Sequence, residues 1–290
     1  MAVLSAARGP APIDAITRVF VLAMAVATVA DIPRLAAWPW LLAGDVLVLL
    51  LLALLARAPD ASRLGSVVAL WYPVLLVLTS YAQLGVMGLG VAHVRDPVVQ
   101  GWEAALFGGQ PSVAWHQAVA SPTLSTVLHA CYAAHYLIIT GIPLWLWARA
   151  GRAACERALF GIALAFYVCY LVSAVFPVAG PRYVFPSPAG PEAAVAPARL
   201  VRGLLEAGSS YGTAFPSSHV AASWCAVLVG LRDARKVALV VAPVAVGLAA
   251  GTVYGQFHYL VDVLAGAVVA LGCFALTDPL RRRLATTARP

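Results

Sequence analysis

Three short stretches of this sequence carry ionisable or hydroxyl side chains at spacings suited to work on an anion. In "HYLVDVLAG", His258 and Asp262 stand four residues apart, close to one helical turn, which would place both side chains on one face. A carboxylate there can accept a hydrogen bond from the imidazole, fix its tautomer and make its other nitrogen more basic. In "AFPSSHVAAS", Pro216 suits a helix start, Ser217 and Ser218 offer hydroxyls beside unpaired backbone N–H groups, and His219 falls in the first turn. A helix N-terminus with free donors is a ready anion site. In "FPVAGPRYVFP", Gly180 and Pro181 set a turn ahead of Arg182, whose guanidinium offers planar, bidentate recognition of phosphate oxygens.

Together these are the parts of a phosphoryl-transfer site. His258 would attack phosphorus and form a phosphohistidine, while Asp262 orients it and stabilises its positive charge. His219 would protonate the leaving group and then activate the second acceptor. Arg182, Ser217 and Ser218 would neutralise the equatorial oxygens. Each residue also has a plainer reading. His258 with Asp262 could be a structural hydrogen bond, Arg182 could snorkel towards headgroups, and Ser217 could be only a helix cap. His93, His116, His129 and His135 read as satisfied core residues, and Tyr254 and Tyr259 as interface aromatics.

The elements that must carry these residues are written in the composition. Of 290 residues, 62% are hydrophobic and only 11% charged, where a soluble domain has roughly a quarter charged. Such a chain cannot cover its surface in water, so its solvent is a bilayer. Eight apolar runs approach the roughly 20 residues needed to cross one: about 13–31, 37–56, 66–90, 124–148, 156–177, 215–231, 237–254 and 258–278. A signal peptide is the alternative for the first, since Arg18 precedes a short apolar run ending in small residues. The expected fold is an all-α polytopic membrane helix bundle. Two N-terminal spans (1–65) precede a six-helix catalytic core (66–290) with outer-face loops at 91–123 and 178–214.

The net charge of +7 follows the same map. With both termini cytoplasmic, fourteen Lys and Arg fall on the inner side and five on the outer, the positive-inside pattern. The basic excess is topogenic, and nucleic-acid binding is not needed to explain it. All three chemical stretches then open on the extracytoplasmic side of a bacterial-type plasma membrane. Cys131, Cys155, Cys169, Cys225 and Cys273 show no paired spacing and read as small buried thiols. A short helical candidate, "ARLVRGLLEA", stands near 198–207, and Trp102 and Trp115 suit a segment at the headgroup level.

The order Arg, P-S-x-H, H-x3-D resembles the membrane-bound type 2 phosphatidic acid phosphatase superfamily, whose motifs are K-x6-R-P, P-S-G-H and S-R-x5-H-x3-D. The matches here are "GPR" at 180–182, "PSSH" at 216–219 and "HYLVD" at 258–262. These three, with "RDPVVQGWEAALFGGQPSVAW" and "SPTLSTVLHACYAAHY", are similar to a bacterial branch related to inositol phosphorylceramide synthases. The likeness covers roughly residues 90–270. It implies a metal-independent lipid-phosphate phosphatase or phosphotransferase with no cofactor, acting on a lipid phosphate through phospho-His258. An inositol phosphorylceramide synthase-like head-group transferase and a catalytically silent lipid-binding or transport protein are the alternatives.

The departures concern the basic contacts. Val175 stands where the wider family has Lys, Gly251 and Thr252 where it has Ser-Arg, and Ser218 where it has Gly. Gln256 occupies a place where related sequences often have Arg. Arg95, Arg199 and Arg202 are the candidates to substitute.

Overall fold

The computed structural model describes residues 11–57, 63–89 and 94–287, and all the regular elements among them are helices. In chain order they are α1 (Pro12–Ala30), α2 (Trp38–Arg57), α3 (Arg63–Leu89), α4 (Asp96–Phe107), α5 (Pro111–Ala118), α6 (Pro122–Ala133) and α7 (His135–Ala150). There follow α8 (Arg152–Val175), α9 (Pro181–Val184), α10 (Ala196–Gly208), α11 (Ser218–Asp233), α12 (Arg235–Tyr254) and α13 (Leu260–Thr287), with 3-10 turns at Ile32–Arg34 and Pro191–Ala193. Six of them, α1, α2, α3, α8, α12 and α13, are long and apolar enough to cross a membrane. The chain is an all-α polytopic bundle. His93, Arg8 and Arg289 lie outside the described residues.

Two expected spans differ. The run at 124–148 is two helices, α6 and α7, meeting at 46° around Ala134. The bend lets the two halves follow different partners: α6 packs on α12 and α10, α7 on α8 and α11. The run at 215–231 begins only at Ser218, and its 16 residues reach about 24 Å, short of the roughly 30 Å hydrocarbon core. Ser217 caps it by accepting the Val220 N–H at 3.4 Å. Both Ser217 and Ser218 are buried, so this short helix starts inside the bundle. The two expected loops are also largely helical, holding α4 and α5 in one and α9 and α10 in the other.

The centre is built on α8 and α11. Along α8 the buried residues run from Ala154 to Ser173 and leave only one stripe, through Arg157, Leu164, Val168 and Val175, less covered. Along α11, Ala221, Ala222, Ala226 and Gly230 let α8, α12, α13 and α7 approach closely. Lipid tails are as apolar as Leu, so such packing rather than water exclusion joins helices within a bilayer. The opposite case is α2, of whose apolar window only 11% is buried. It lies at the periphery against α1.

The start of α11 and the first half of α13 approach closely. A Cβ on Gly266 would stand 2.6 Å from the Ser217 carbonyl oxygen. Gly266→Ala should gain up to about 1 kcal/mol of helix propensity but force overpacking that costs about 1–3 kcal/mol. The clash is with backbone that cannot swing aside, so the expected net effect is destabilisation, read as a lower unfolding temperature of the detergent-purified protein.

Candidate active site

The turn between α12 and α13 aims His258. The Thr252 carbonyl accepts from the N–H of both Phe257 (2.9 Å) and His258 (3.1 Å), closing the end of α12. Gln256 takes φ +57°, the left-handed conformation that terminates helices and is usually given to glycine. The chain thereby reverses and brings His258 Nδ1 to 2.8 Å from the Ala214 carbonyl oxygen and 3.4 Å from Asp262 Oδ2. Both neighbours are acceptors, so Nδ1 carries the proton and Nε2 is left with the lone pair. Burial holds the imidazole below its ordinary pKa, at about 4.

This corrects the expected pairing in one respect. His258 precedes α13 rather than beginning it, so its 3.4 Å contact with Asp262 forms as expected but from the turn and not from the helix itself. The same carboxylate oxygen accepts the Tyr259 N–H at 2.8 Å, tying down the first turn of α13, and the Ala214 carbonyl is the closer contact of the imidazole.

Main-chain hydrogen bonds bind the three stretches to one another. Val178 N–H donates to the Gly212 carbonyl (3.1 Å) and Ala214 N–H to the Val178 carbonyl (2.8 Å), which joins the segment before Arg182 to the one before Pro216. Ser217 N–H donates to the Asp262 carbonyl at 3.0 Å, joining the second stretch to the third. Gly180 has φ +96°, and a Cβ there would meet Ala214 Cβ at 3.0 Å and the Phe257 carbonyl at 3.1 Å, so only glycine fits.

Arg182, Ser218, His219 and His258 consequently line one cavity of about 30 Å³, with Tyr132 beside them. The ring centres of His219 and His258 are 6.0 Å apart. His219 Nε2 is 3.4 Å from the Tyr132 hydroxyl, and its ring centre is 4.5 Å from that of His135. Arg182 Nη1 and His219 Nδ1 are buried without a hydrogen-bond partner among the described residues. A desolvated guanidinium nitrogen without an acceptor suits an anion. The Ser217 hydroxyl is engaged as the helix cap and does not line the cavity, whereas Ser218 does.

Two larger cavities share walls with this one. The first, of about 230 Å³, is almost wholly apolar and reaches Ser218, His219 and Tyr81. The second, of about 350 Å³, is lined by Arg182, Arg202, His116, His129, Glu192 and Gln256, among others. Of the three substitute cations, Arg202 is thus the one that shares a cavity with Arg182; Arg95 and Arg199 line none of the three. Val175 is 74% exposed, away from the site. A side chain at Gly251 would begin 2.5 Å from the Leu128 carbonyl oxygen, which explains why no larger residue stands there.

Sequence reasoning missed two carboxylates on α4. Asp96 accepts from the N–H groups of Ala179 and Gly180, each at 2.8 Å, and from the Tyr259 hydroxyl at 2.9 Å. Glu103 accepts from the N–H groups of Leu260 (2.5 Å) and Val261 (3.2 Å), capping α13. Their seven-residue spacing, with Val99 between, was a readable sign of one buried helical face. Tyr259 and Tyr254 are fully buried, not interface aromatics. Tyr254 donates to the Val119 carbonyl at 2.8 Å, because each phenol has a loop to tie down. His116, His129 and His135 are buried with hydrogen-bond partners, as core histidines should be, yet all three also border the cavities. Among the described residues no three His, Cys, Asp or Glu are grouped to hold a metal ion.

The model of one family, the PAP2 superfamily, matches residues 98–276, more than half of the chain. The chain belongs to the PAP2 superfamily. No curated protein and no solved structure matches it. The matched region runs from α4 to the middle of α13 and so contains Arg182, the P-S-S-H stretch and the H-Y-L-V-D stretch, with Asp96 two residues before it.

Within this PAP2-superfamily chain, Asp96 is the group whose loss should reach two of the stretches at once. Asp96→Asn replaces an all-acceptor carboxylate with an amide whose NH2 must face a donor. Hydrogen bonds to a charged group are each worth about 1.5–3 kcal/mol, so a destabilisation of about 2–4 kcal/mol is expected, measured by thermal unfolding.

Proposed function

We propose that this protein is an integral-membrane lipid-phosphate phosphatase or phosphotransferase that works through a phosphohistidine. The observation that carries the reading is the shared cavity of His258, His219, Ser218 and a guanidinium nitrogen of Arg182 that lacks an acceptor. PAP2-superfamily membership supports the same class of reaction.

In this reading His258 Nε2 attacks phosphorus while Nδ1–H stays bonded to the Ala214 carbonyl and the Asp262 carboxylate. The positive charge that develops on the ring therefore meets two acceptors already in place. Arg182 and Ser218 bear the charge of the non-bridging oxygens. His219 gives its proton to the departing oxygen and later takes one from the incoming acceptor, so the same group serves both half-reactions. Ser217 acts through the backbone as the cap of α11. The positive-inside pattern supports cytoplasmic termini and an extracytoplasmic site, and no metal or cofactor takes part.

The adjoining 350 Å³ cavity favours a second reading, head-group transfer. With an apolar cavity on one wall of the site and a polar one on another, a phosphodiester would have room for a lipid on one side and a polar head group on the other. Hydrolysis needs only water at the phosphoenzyme and is preferred on economy of parts. A purely lipid-binding role would leave the two imidazoles and Asp262 without a task.

Purified protein should release phosphate from at least one of phosphatidate, a polyprenyl diphosphate or a sphingoid phosphate, with no loss when a chelator is added. His258→Ala and His219→Ala should abolish that release while expression persists, and wild-type rates in both would end the proposal. Activity should fall on the acid side as His258 is protonated, at about 4 and below the ordinary 6.5 of an imidazole, while His219, lowered by burial to about 3, takes its proton from the bound phosphate monoanion. Supplying diacylglycerol- or ceramide-type acceptors with a labelled phosphoinositol donor separates the two readings, since label transfer exceeding phosphate release would select the transferase.

A further inference from the structure

We infer that the apolar cavity between α3, α7 and α8 is a slot for one linear hydrocarbon chain of the substrate, and that its closed end sets the preferred chain length. The inference rests on the lipid-phosphate reading above and adds to it where the chain lies and what measures it.

One end of the slot is the site itself, where His219, Ser218 and His135 form part of its wall. From there it runs along α8 from Tyr170 to Leu159 and along α3 from Tyr81 to Pro73. At 1.5 Å per residue those runs are about 16 Å and 12 Å, roughly half of a 30 Å hydrocarbon core. A volume of about 230 Å³ drawn out over that length is narrow, suited to one chain and not to a pair. The second chain of a diacyl lipid would stay in the bilayer.

The side of the slot faces the membrane. Both α3 and α7 pack on α8, but they are not a closely packed pair with each other. Leu78 on α3 and Tyr136 on α7, both at the lining, are 53% and 50% exposed. A chain can therefore enter sideways without leaving apolar surroundings. Farther from the site the gap closes. Trp71 of α3 and Trp147 of α7 come together with ring centres 6.4 Å apart, and both pack with Val74 on the buried cluster of Leu70, Cys155 and Leu159. This aromatic floor is the physical stop. Since membrane lipid is as apolar as the slot, burial there yields little transfer energy; the slot acts by shape, holding the phosphate end against His219.

The test uses the full chain in detergent micelles with single-chain alkyl phosphates of increasing length and a water-soluble aryl phosphate. Wild-type kcat/KM should rise with length and then level off. Val74→Trp, which fills the floor end, should move the limit to shorter chains and lower kcat/KM for the longest by about tenfold. Trp71→Ala, which opens the floor, should move it to longer ones. Both variants should keep the aryl phosphate within about twofold. Length profiles that coincide with wild type in both variants overturn the proposal, as do equal losses on the aryl phosphate. If the wild type hydrolyses none of these compounds, the phosphatase reading fails while the slot is still decided by a diazirine-tailed alkyl phosphate. Photolabelling of α3 and α7 around Val74 and Thr140 supports it, and labelling confined to the outer surfaces of α1 and α2 overturns it.

Discussion

A single buried carboxylate, that of Asp96, holds three donors from two remote parts of the chain. Its oxygens take the amides of Ala179 and Gly180, just ahead of Arg182, and the phenol of Tyr259, just after His258. Burying a charge is costly unless it is paired or fully hydrogen-bonded. The arrangement is therefore stable only when both segments are present in the right place. Were either to shift, the carboxylate would lose part of its donor set in apolar surroundings. This constraint converts two loops that would otherwise be free at the end of a helix bundle into walls of fixed geometry.

Around that carboxylate the chain uses backbone, which cannot change rotamer, for the critical contacts. The Ala214 carbonyl orients His258, the Asp262 carbonyl receives the Ser217 amide, and Val178 is bridged to Gly212 and Ala214. Glycine is required where these strands of chain touch, at Gly180 and Gly266, since any Cβ would meet a neighbouring carbonyl or methyl. The short α11 then supplies its N-terminus at depth, so that Ser218 is buried and His219 half-buried although they begin a helix. Preorganisation of this kind lets charge that develops on a phosphoryl group be met without rearrangement.

The surroundings of the site differ from one wall to another. Towards α3 and α7 the neighbours are apolar down to the Trp71–Trp147 contact. Towards α5, α6 and α10 they are imidazoles, guanidinium groups and carboxylates, with the His116–Glu192 contact at 3.2 Å among them. An amphiphile whose phosphate joins a hydrocarbon part to a polar part meets matching surroundings on each side. That pairing ties the candidate chemistry to the solvent in which the bundle sits.

Hydrophobicity and the placement of Arg and Lys determined much by themselves, because an apolar run long enough to cross a bilayer has few other places to go. The helical class, the positions of α1, α2, α3, α8, α12 and α13, and the helix at 196–208 were all legible this way. Arg182, Ser218, His219 and His258, which the structure brings to one cavity, were also candidates from the sequence, since few ionisable side chains occur in such a chain. Tertiary structure alone decided which atoms meet. The sequence pattern paired His258 with Asp262, and that contact forms, but His258 sits before the helix and its nearer partner is a carbonyl 44 residues away. The break at Ala134, the burial of Tyr254 and Tyr259, and the clamp by Asp96 likewise depend on contacts between segments far apart in the chain. Local spacing carries no information about such contacts, because their energy exists only once the helices have packed.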